Sequence, residues 1–130
     1  MGDIQASLRR LGRGIVLACF LAAALPSAGS AEEPAYAYLH GIEDLPLMPG
    51  LTEVEEAGIV FDKPAGRIVV AFAEGEASET DVLDFYTSTL PQLGWRLENK
   101  ATFQREGEVL HIEFEPSGQS LLVRFSLSPN

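Results

Sequence analysis

The chain has 130 residues, with 19 acidic and nine basic side chains and a formal net charge of −10. A chain of this length is expected to build one domain around one modest hydrophobic core. The excess of carboxylates repels the phosphates of nucleic acids and anionic lipid headgroups, so neither is an expected partner.

The first 31 residues have the three parts of a cleavable secretory signal peptide. Its basic start contains three arginines, Arg9, Arg10 and Arg13. Residues 15–25 follow as eleven consecutive apolar residues, and Pro26 then ends any helix. Because residues 27–31 are small, we expect cleavage after Ala31 and export to the periplasm or the extracellular space.

Other readings of this segment stay open. The apolar run is shorter than the roughly 20 residues that span a bilayer, so we expect no stable membrane anchor after cleavage. An uncleaved anchor and a lipoprotein modified at Cys19 are the alternatives. Cleavage after Ala35 or Ala37 is also compatible with the small residues there.

Removal of residues 1–31 makes the remaining chain more acidic. Residues 32–130 contain eighteen acidic and six basic side chains, a formal net charge of −12, and no cysteine. The exported domain therefore has no disulfide, and its stability is expected to come from packing alone.

Residues 32–52 contain three prolines and two glycines and are predicted to form an extended lead-in to the domain. We expect 32–40 to be disordered and Leu45, Leu47 and Met48 to pack on the edge of the core. A short docking motif at these apolar residues is the alternative.

Two strands follow in the predicted domain, which covers residues 53–130. Residues 59–62 and 67–73 are rich in β-branched and aromatic side chains, and the turn residues between them predict a hairpin. Both faces of 67–73 are apolar, which is typical of an interior strand that is covered on both sides.

Residues after 78 predict a helix. Ser78 is a good N-cap, with Asp81 three residues later. One apolar stripe at helical spacing is expected to pack on a sheet: Val82, Phe85, Tyr86, Thr89 and Leu90. Pro91 ends the helix and Gly94 turns the chain.

Four short strands are predicted after the helix, over 95–98, 102–105, 109–115 and 121–127. Alternating apolar and polar residues in the last two indicate one buried face and one wet face. The order ββαββββ predicts a small two-layer α+β domain, an antiparallel sheet with one helix packed on one face.

The helix and its exit carry a recognisable pattern. Residues 85–95 read F-Y-T-S-T-L-P-Q-L-G-W. This resembles the F-Y-x-x-x-L-P-x-x-G-W segment of small exported bacterial domains of uncharacterised function. The resemblance implies a similar fold and compartment, and it brings no activity to transfer.

One polar row invites a metal-binding interpretation. His111, Glu113 and Glu115 project from one face of a strand, and an imidazole with two carboxylates could bind a divalent metal. A flat row does not converge as metal ligands must, so the ordinary wet face of an amphipathic strand is the competing interpretation.

Four aromatic residues could line an apolar pocket between helix and sheet: Phe85, Tyr86, Trp95 and Phe103. The competing interpretation is that they form the core, because a domain this small needs its apolar groups for burial.

No catalytic set or cofactor-binding motif is found in the sequence. Residues 32–130 contain no cysteine nucleophile, no Gly-x-Ser-x-Gly elbow and no phosphate-binding glycine-rich loop. We therefore expect a non-enzymatic interaction module of the bacterial envelope or periplasm that binds an envelope protein. A carrier of a small apolar ligand is the alternative, and a metal-dependent enzyme is a weaker one.

Overall fold

The computed structural model describes residue 29 and residues 36–130. Apart from Gly29, the predicted signal peptide and the cleavage positions at Ala31 and Ala35 therefore lie outside the described residues. Residues 36–130 belong to a compact unit that spans Glu32–Asn130. None of the helices in the described part of the chain has the length and apolar content that a membrane crossing requires.

The described residues form seven strands and one α-helix. The strands are β1 (Thr52–Glu53), β2 (Ile59–Lys63), β3 (Gly66–Gly75), β4 (Arg96–Asn99), β5 (Thr102–Arg105), β6 (Glu108–Ser117) and β7 (Ser120–Pro129). The helix α1 (Glu79–Thr89) lies between β3 and β4, and short 3₁₀ turns occupy Glu55–Ala57 and Leu90–Leu93. The predicted ββαββββ order and the α+β class are confirmed, with the two-residue β1 added in front.

All strand pairs in the sheet are antiparallel. The strands lie in the order β1, β3, β7, β6, β5, β4, and β2 pairs with β3 beside β1. Thr52 lies opposite Glu74 and Ile59 lies opposite Val70, so β1 and β2 share one edge of β3. The last strand, β7, therefore lies between β3 and β6, in the interior of the sheet.

The helix begins and ends as its sequence predicts. The Ser78 hydroxyl accepts a 3.0 Å hydrogen bond from the Asp81 N–H, which caps the first turn. After Thr89 the chain tightens into the 3₁₀ turn that contains Pro91. Gly94 then adopts a left-handed conformation, φ 88°, and turns the chain into β4.

One face of the sheet, here called the inner face, is covered by α1 and by the segment that precedes β1. From the sheet it contributes buried Val69, Ala71, Ala73, Phe103, Leu110, Ile112, Leu121, Val123, Phe125 and Leu127. Val82 and Tyr86 of α1 and Leu90 of the 3₁₀ turn that follows it are fully buried against them. Burial of these side chains is the main stabilising contribution, at roughly 1.5–3 kcal/mol for a large apolar side chain.

The lead-in is part of this core. Five of its apolar side chains are buried: Leu39, Ile42, Leu45, Leu47 and Leu51. Met48 is half-buried against the same cluster. Tyr38 forms an isolated antiparallel bridge with Pro46, and backbone hydrogen bonds join Leu39 to Leu45 and Leu47 to Ala37. The prediction that 32–40 is disordered is therefore wrong for residues 36–40, and residues 32–35 lie outside the described part of the chain. The physical reason is burial, because Leu39 and Ile42 give this segment apolar area to remove from water.

The opposite face of the sheet, here called the outer face, is not covered by any described residue. Ile68, Val70 and Phe72 of β3 lie on this face and are only half-buried. The expectation of a strand covered on both sides is therefore wrong for the described part of the chain. The interior position predicted for β3 is correct, since β3 has neighbours on both edges.

Candidate interaction surface

Strand β2 is an apolar strand at an open edge of the sheet. Within residues 36–130 it pairs with β3 alone, and all five of its residues are exposed. The exposed fractions are 47% for Ile59, 56% for Val60 and 55% for Phe61. An edge strand presents a row of backbone N–H and C=O groups to solvent, and here apolar side chains accompany that row.

The opposite edge of the sheet is built differently. Strand β4 carries Arg96 and Glu98, whose side chains contact each other at 3.2 Å. Its pairing with β5 is broken by a register shift between Leu97 and Asn99. Charged side chains and bulges are the usual means of preventing unwanted strand pairing. The edge at β4 has both, whereas β2 pairs regularly with β3 and carries charge only in its last two residues, Asp62 and Lys63.

The apolar character of β2 continues across the outer face. Phe61 lies opposite Ile68 and Ile59 lies opposite Val70. Phe72 and Leu122 extend the surface along β3 and β7, where Arg124 lies opposite Phe72 and Glu74 lies opposite Leu122. We call this surface the outer patch, and it consists of Ile59, Phe61, Ile68, Val70, Phe72 and Leu122. Contiguous exposed apolar surface on a soluble domain indicates a binding site more often than a scattered apolar residue does.

Acidic residues flank the β2 end of the outer patch. Glu55 and Glu56 precede the strand, and Asp62 lies within it. Lys63 ends the strand. The rim of the candidate surface is therefore predominantly negative, as is the domain as a whole.

The row His111, Glu113 and Glu115 lies on the outer face of β6, as the alternation predicts. Each member has a different neighbour across the sheet. His111 Nδ1 lies 2.9 Å from the Thr102 hydroxyl, and the Arg124 guanidinium donates to Glu113 at 3.0 Å. Glu115 lies opposite Leu122. The structure thus places the row on one face without bringing its ligand atoms together.

The four aromatic residues proposed as a pocket lie in or against the core. Tyr86 and Phe103 are fully buried and Trp95 is 2% exposed. Phe85 is half-buried and packs edge-to-face on Tyr86, with ring centroids 4.9 Å apart. The Arg105 guanidinium covers the Trp95 ring at 4.5 Å.

A second group of polar side chains was not predicted from the sequence. His40 Nδ1 lies 2.9 Å from Glu53 Oε2 and 3.5 Å from Glu55 Oε1. The hydrogen bond to Glu53 and the charges of both carboxylates raise the pKa of His40 above its usual 6.5. His40 and Glu53 are thirteen residues apart, and only the fold of the lead-in brings them together. No spacing motif in the sequence could have indicated this.

Comparison with known proteins gives no further guide to function: no family model matches the chain, and no match was found among curated proteins or solved structures.

Proposed function

We propose that this domain is a non-enzymatic interaction module that acts after export, in the bacterial envelope or periplasm. It binds a partner protein by adding one strand of that partner to the free edge of β2. The observation that carries the proposal is the exposed apolar run Ile59–Phe61 on the open edge of β2, which adjoins the outer patch.

Strand addition uses two kinds of contact. The backbone of an added strand takes up the free N–H and C=O groups of β2, which supplies affinity. Its alternate side chains would pack beside Ile59 and Phe61, which supplies specificity. The edge at β4 exposes one large apolar side chain, Leu97, beside Arg96 and Glu98, whereas β2 exposes three, so the two edges are not equivalent.

Charge decides between two kinds of partner strand. A second copy of this chain would bring two domains of net charge −12 together, with Glu55, Glu56 and Asp62 close to the contact. Like charges across an interface are unfavourable, whereas basic side chains are attracted to this rim. The preferred partner is therefore a segment with alternating apolar residues and flanking lysine or arginine.

The test uses the protein expressed from the full sequence and a synthetic peptide probe. The peptide has about ten residues, the length of a typical strand, with alternating valine and threonine and lysines at both ends. Binding should protect the amides of residues 59–63 from hydrogen exchange. Two matched peptides act as controls, one with glutamates at the ends and one with a central proline, which cannot continue a strand ladder.

A pair of variants locates the binding edge. Phe61→Lys should weaken binding of the lysine peptide by roughly tenfold, since about 1.4 kcal/mol of apolar contact corresponds to that factor. Leu97→Lys, at the opposite edge and 41% exposed, should leave it unchanged. Absence of binding, equal binding of the proline peptide, or an equal effect of both variants would contradict the proposal. Self-association in place of peptide binding would identify a second copy as the partner.

A further inference from the structure

His40, Glu53 and Glu55 form a convergent group of nitrogen and oxygen atoms at the surface. His40 lies in the turn of the lead-in, Glu53 in β1 and Glu55 in the 3₁₀ turn that follows. One potential ligand atom from each residue lies within 4.8 Å of the other two. Among the described residues, no other three histidine, cysteine or acidic side chains bring their ligand atoms this close together.

We propose that His40, Glu53 and Glu55 bind one divalent transition-metal ion, best matched by Zn²⁺, through Nδ1 and one oxygen from each carboxylate. Nothing in the proposed strand-addition function requires this site, and the two inferences stand separately.

The distances suit a single small ion. Zn²⁺ binds nitrogen and oxygen ligands at about 2.0–2.2 Å, which places tetrahedral ligand atoms about 3.4 Å from one another. His40 Nδ1 is already 2.9 Å from Glu53 Oε2 and 3.5 Å from Glu55 Oε1. The Glu53 and Glu55 oxygens lie within 4.8 Å of each other, so side-chain shifts of about 0.5–1.5 Å would complete the three-ligand arrangement.

One of the ligands is held in place before any ion binds. The Glu53 side chain is only 11% exposed, and its Oε1 accepts a 3.0 Å hydrogen bond from the His40 backbone N–H. Its second oxygen, Oε2, faces the imidazole. Hydrogen bonds of this type orient a ligating carboxylate and reduce the entropy lost when the metal binds.

The donor set selects the class of metal. An imidazole nitrogen suits Zn²⁺, Cu²⁺ and Ni²⁺, whereas Ca²⁺ and Mg²⁺ take oxygen ligands almost exclusively. His40 and Glu55 are 74% and 68% exposed, so water can complete the coordination. The ion would join the lead-in to β1 and stabilise the folded state, since the unfolded chain does not hold the three ligands together.

The experiment uses the protein expressed from the full sequence, without a polyhistidine tag, and freed of metal with a chelator. Calorimetric titration with Zn²⁺ should show one ion per chain, and NMR of the imidazole nitrogens should show a shift of His40 Nδ1. The melting temperature should rise with Zn²⁺ and not with Ca²⁺.

Variants separate this site from nonspecific binding to an acidic surface. His40→Ala and Glu55→Gln should each weaken Zn²⁺ binding by roughly tenfold or more, because each removes one of three protein ligands. Both residues are exposed, so neither change disturbs the core. His111→Ala is the matched control and should leave binding unchanged. Absence of Zn²⁺ binding, or binding that is equal in wild type and His40→Ala, would overturn the proposal.

Discussion

The hydroxyl of Tyr86 donates a 2.8 Å hydrogen bond to the carbonyl oxygen of Pro46, forty residues earlier in the chain. The same hydroxyl accepts a hydrogen bond from the Met48 N–H at 3.2 Å. Tyr86 is fully buried, and burial raises the pKa of its phenol above the usual range. The phenol therefore remains a hydrogen-bond donor at any physiological pH, and it holds the lead-in against α1.

Replacement of Tyr86 by phenylalanine tests this connection. Tyr86→Phe keeps the ring and leaves Pro46 and Met48 without their hydrogen-bond partner, so it should lower the free energy of unfolding by about 1–3 kcal/mol. Urea denaturation followed by Trp95 fluorescence measures the change. Tyr38→Phe is the control, since Tyr38 is 59% exposed and its substitution should cost less than about 0.5 kcal/mol. Equal effects of the two would show that the buried hydroxyl is not needed.

Gly75 is expected to tolerate no side chain. A Cβ added at Gly75 would collide with the carbonyl oxygen of Gly50, where the lead-in meets the end of β3. Gly75→Ala should therefore destabilise the domain by about 3 kcal/mol, as overpacking against a fixed backbone does. Gly118→Ala is the comparison, because its Cβ meets nothing within 4 Å and only its φ of 64° is unfavourable. Gly118→Ala should lower the free energy of unfolding by about 1 kcal/mol. A larger loss for Gly118→Ala than for Gly75→Ala would contradict the predicted collision at Gly75.

Arg105 is expected to stabilise the exit of the helix. Its guanidinium lies over the Trp95 ring and donates a 3.0 Å hydrogen bond to the Leu93 carbonyl. Arg105→Ala should lower the free energy of unfolding by about 1 kcal/mol through loss of both contacts. It should also change the emission of Trp95. Arg124→Ala removes a surface ion pair with Glu113 and should cost about 0.5 kcal/mol or less. Thermal unfolding of both variants measures whether Arg105 contributes more to stability than Arg124 does.

The pH dependence of stability should report the contact between His40 and Glu53. Because the folded-state pKa of His40 is raised above 6.5, protonation of His40 favours folding. This contribution is fully present below the unfolded value of 6.5 and is lost as pH rises through the folded pKa. In metal-free protein, NMR titration should give a His40 pKa above 6.5, and Glu53→Gln should lower it. A His40 pKa that does not respond to Glu53→Gln would exclude this contact as the cause.

The sequence predicted the helix and the strands well because the interactions that start, end and orient these elements join residues close together in the chain. Ser78 caps α1 through a bond to a residue three positions away, and Pro91 ends the α-helical turn by its own geometry. Alternation in β6 correctly placed Leu110 and Ile112 on the buried face and His111 on the exposed one. The α+β class follows from these elements and their order.

Long-range contacts explain what the sequence did not show. Leu39 and Ile42 are buried by the fold of a segment whose prolines and glycines indicated only an extended lead-in. The apolar alternation of Ile68, Val70 and Phe72 does not distinguish a covered face from an uncovered one. The convergence of His40 with Glu53 depends on a turn and a two-residue strand, neither of which has a sequence signature.

The position of β7 has a consequence for the order in which the sheet can form. β7 lies between β3 and β6 and joins them into one sheet, and it leaves the ribosome after the other described strands. Until then the hairpin of β2 with β3 and the strands β4 to β6 are separate half-sheets with their inner faces incomplete. Pairing at such long separation in sequence is slow compared with local hairpins. On the proposed export route, a chain that reaches the membrane before β7 has been synthesised would therefore still have an open sheet.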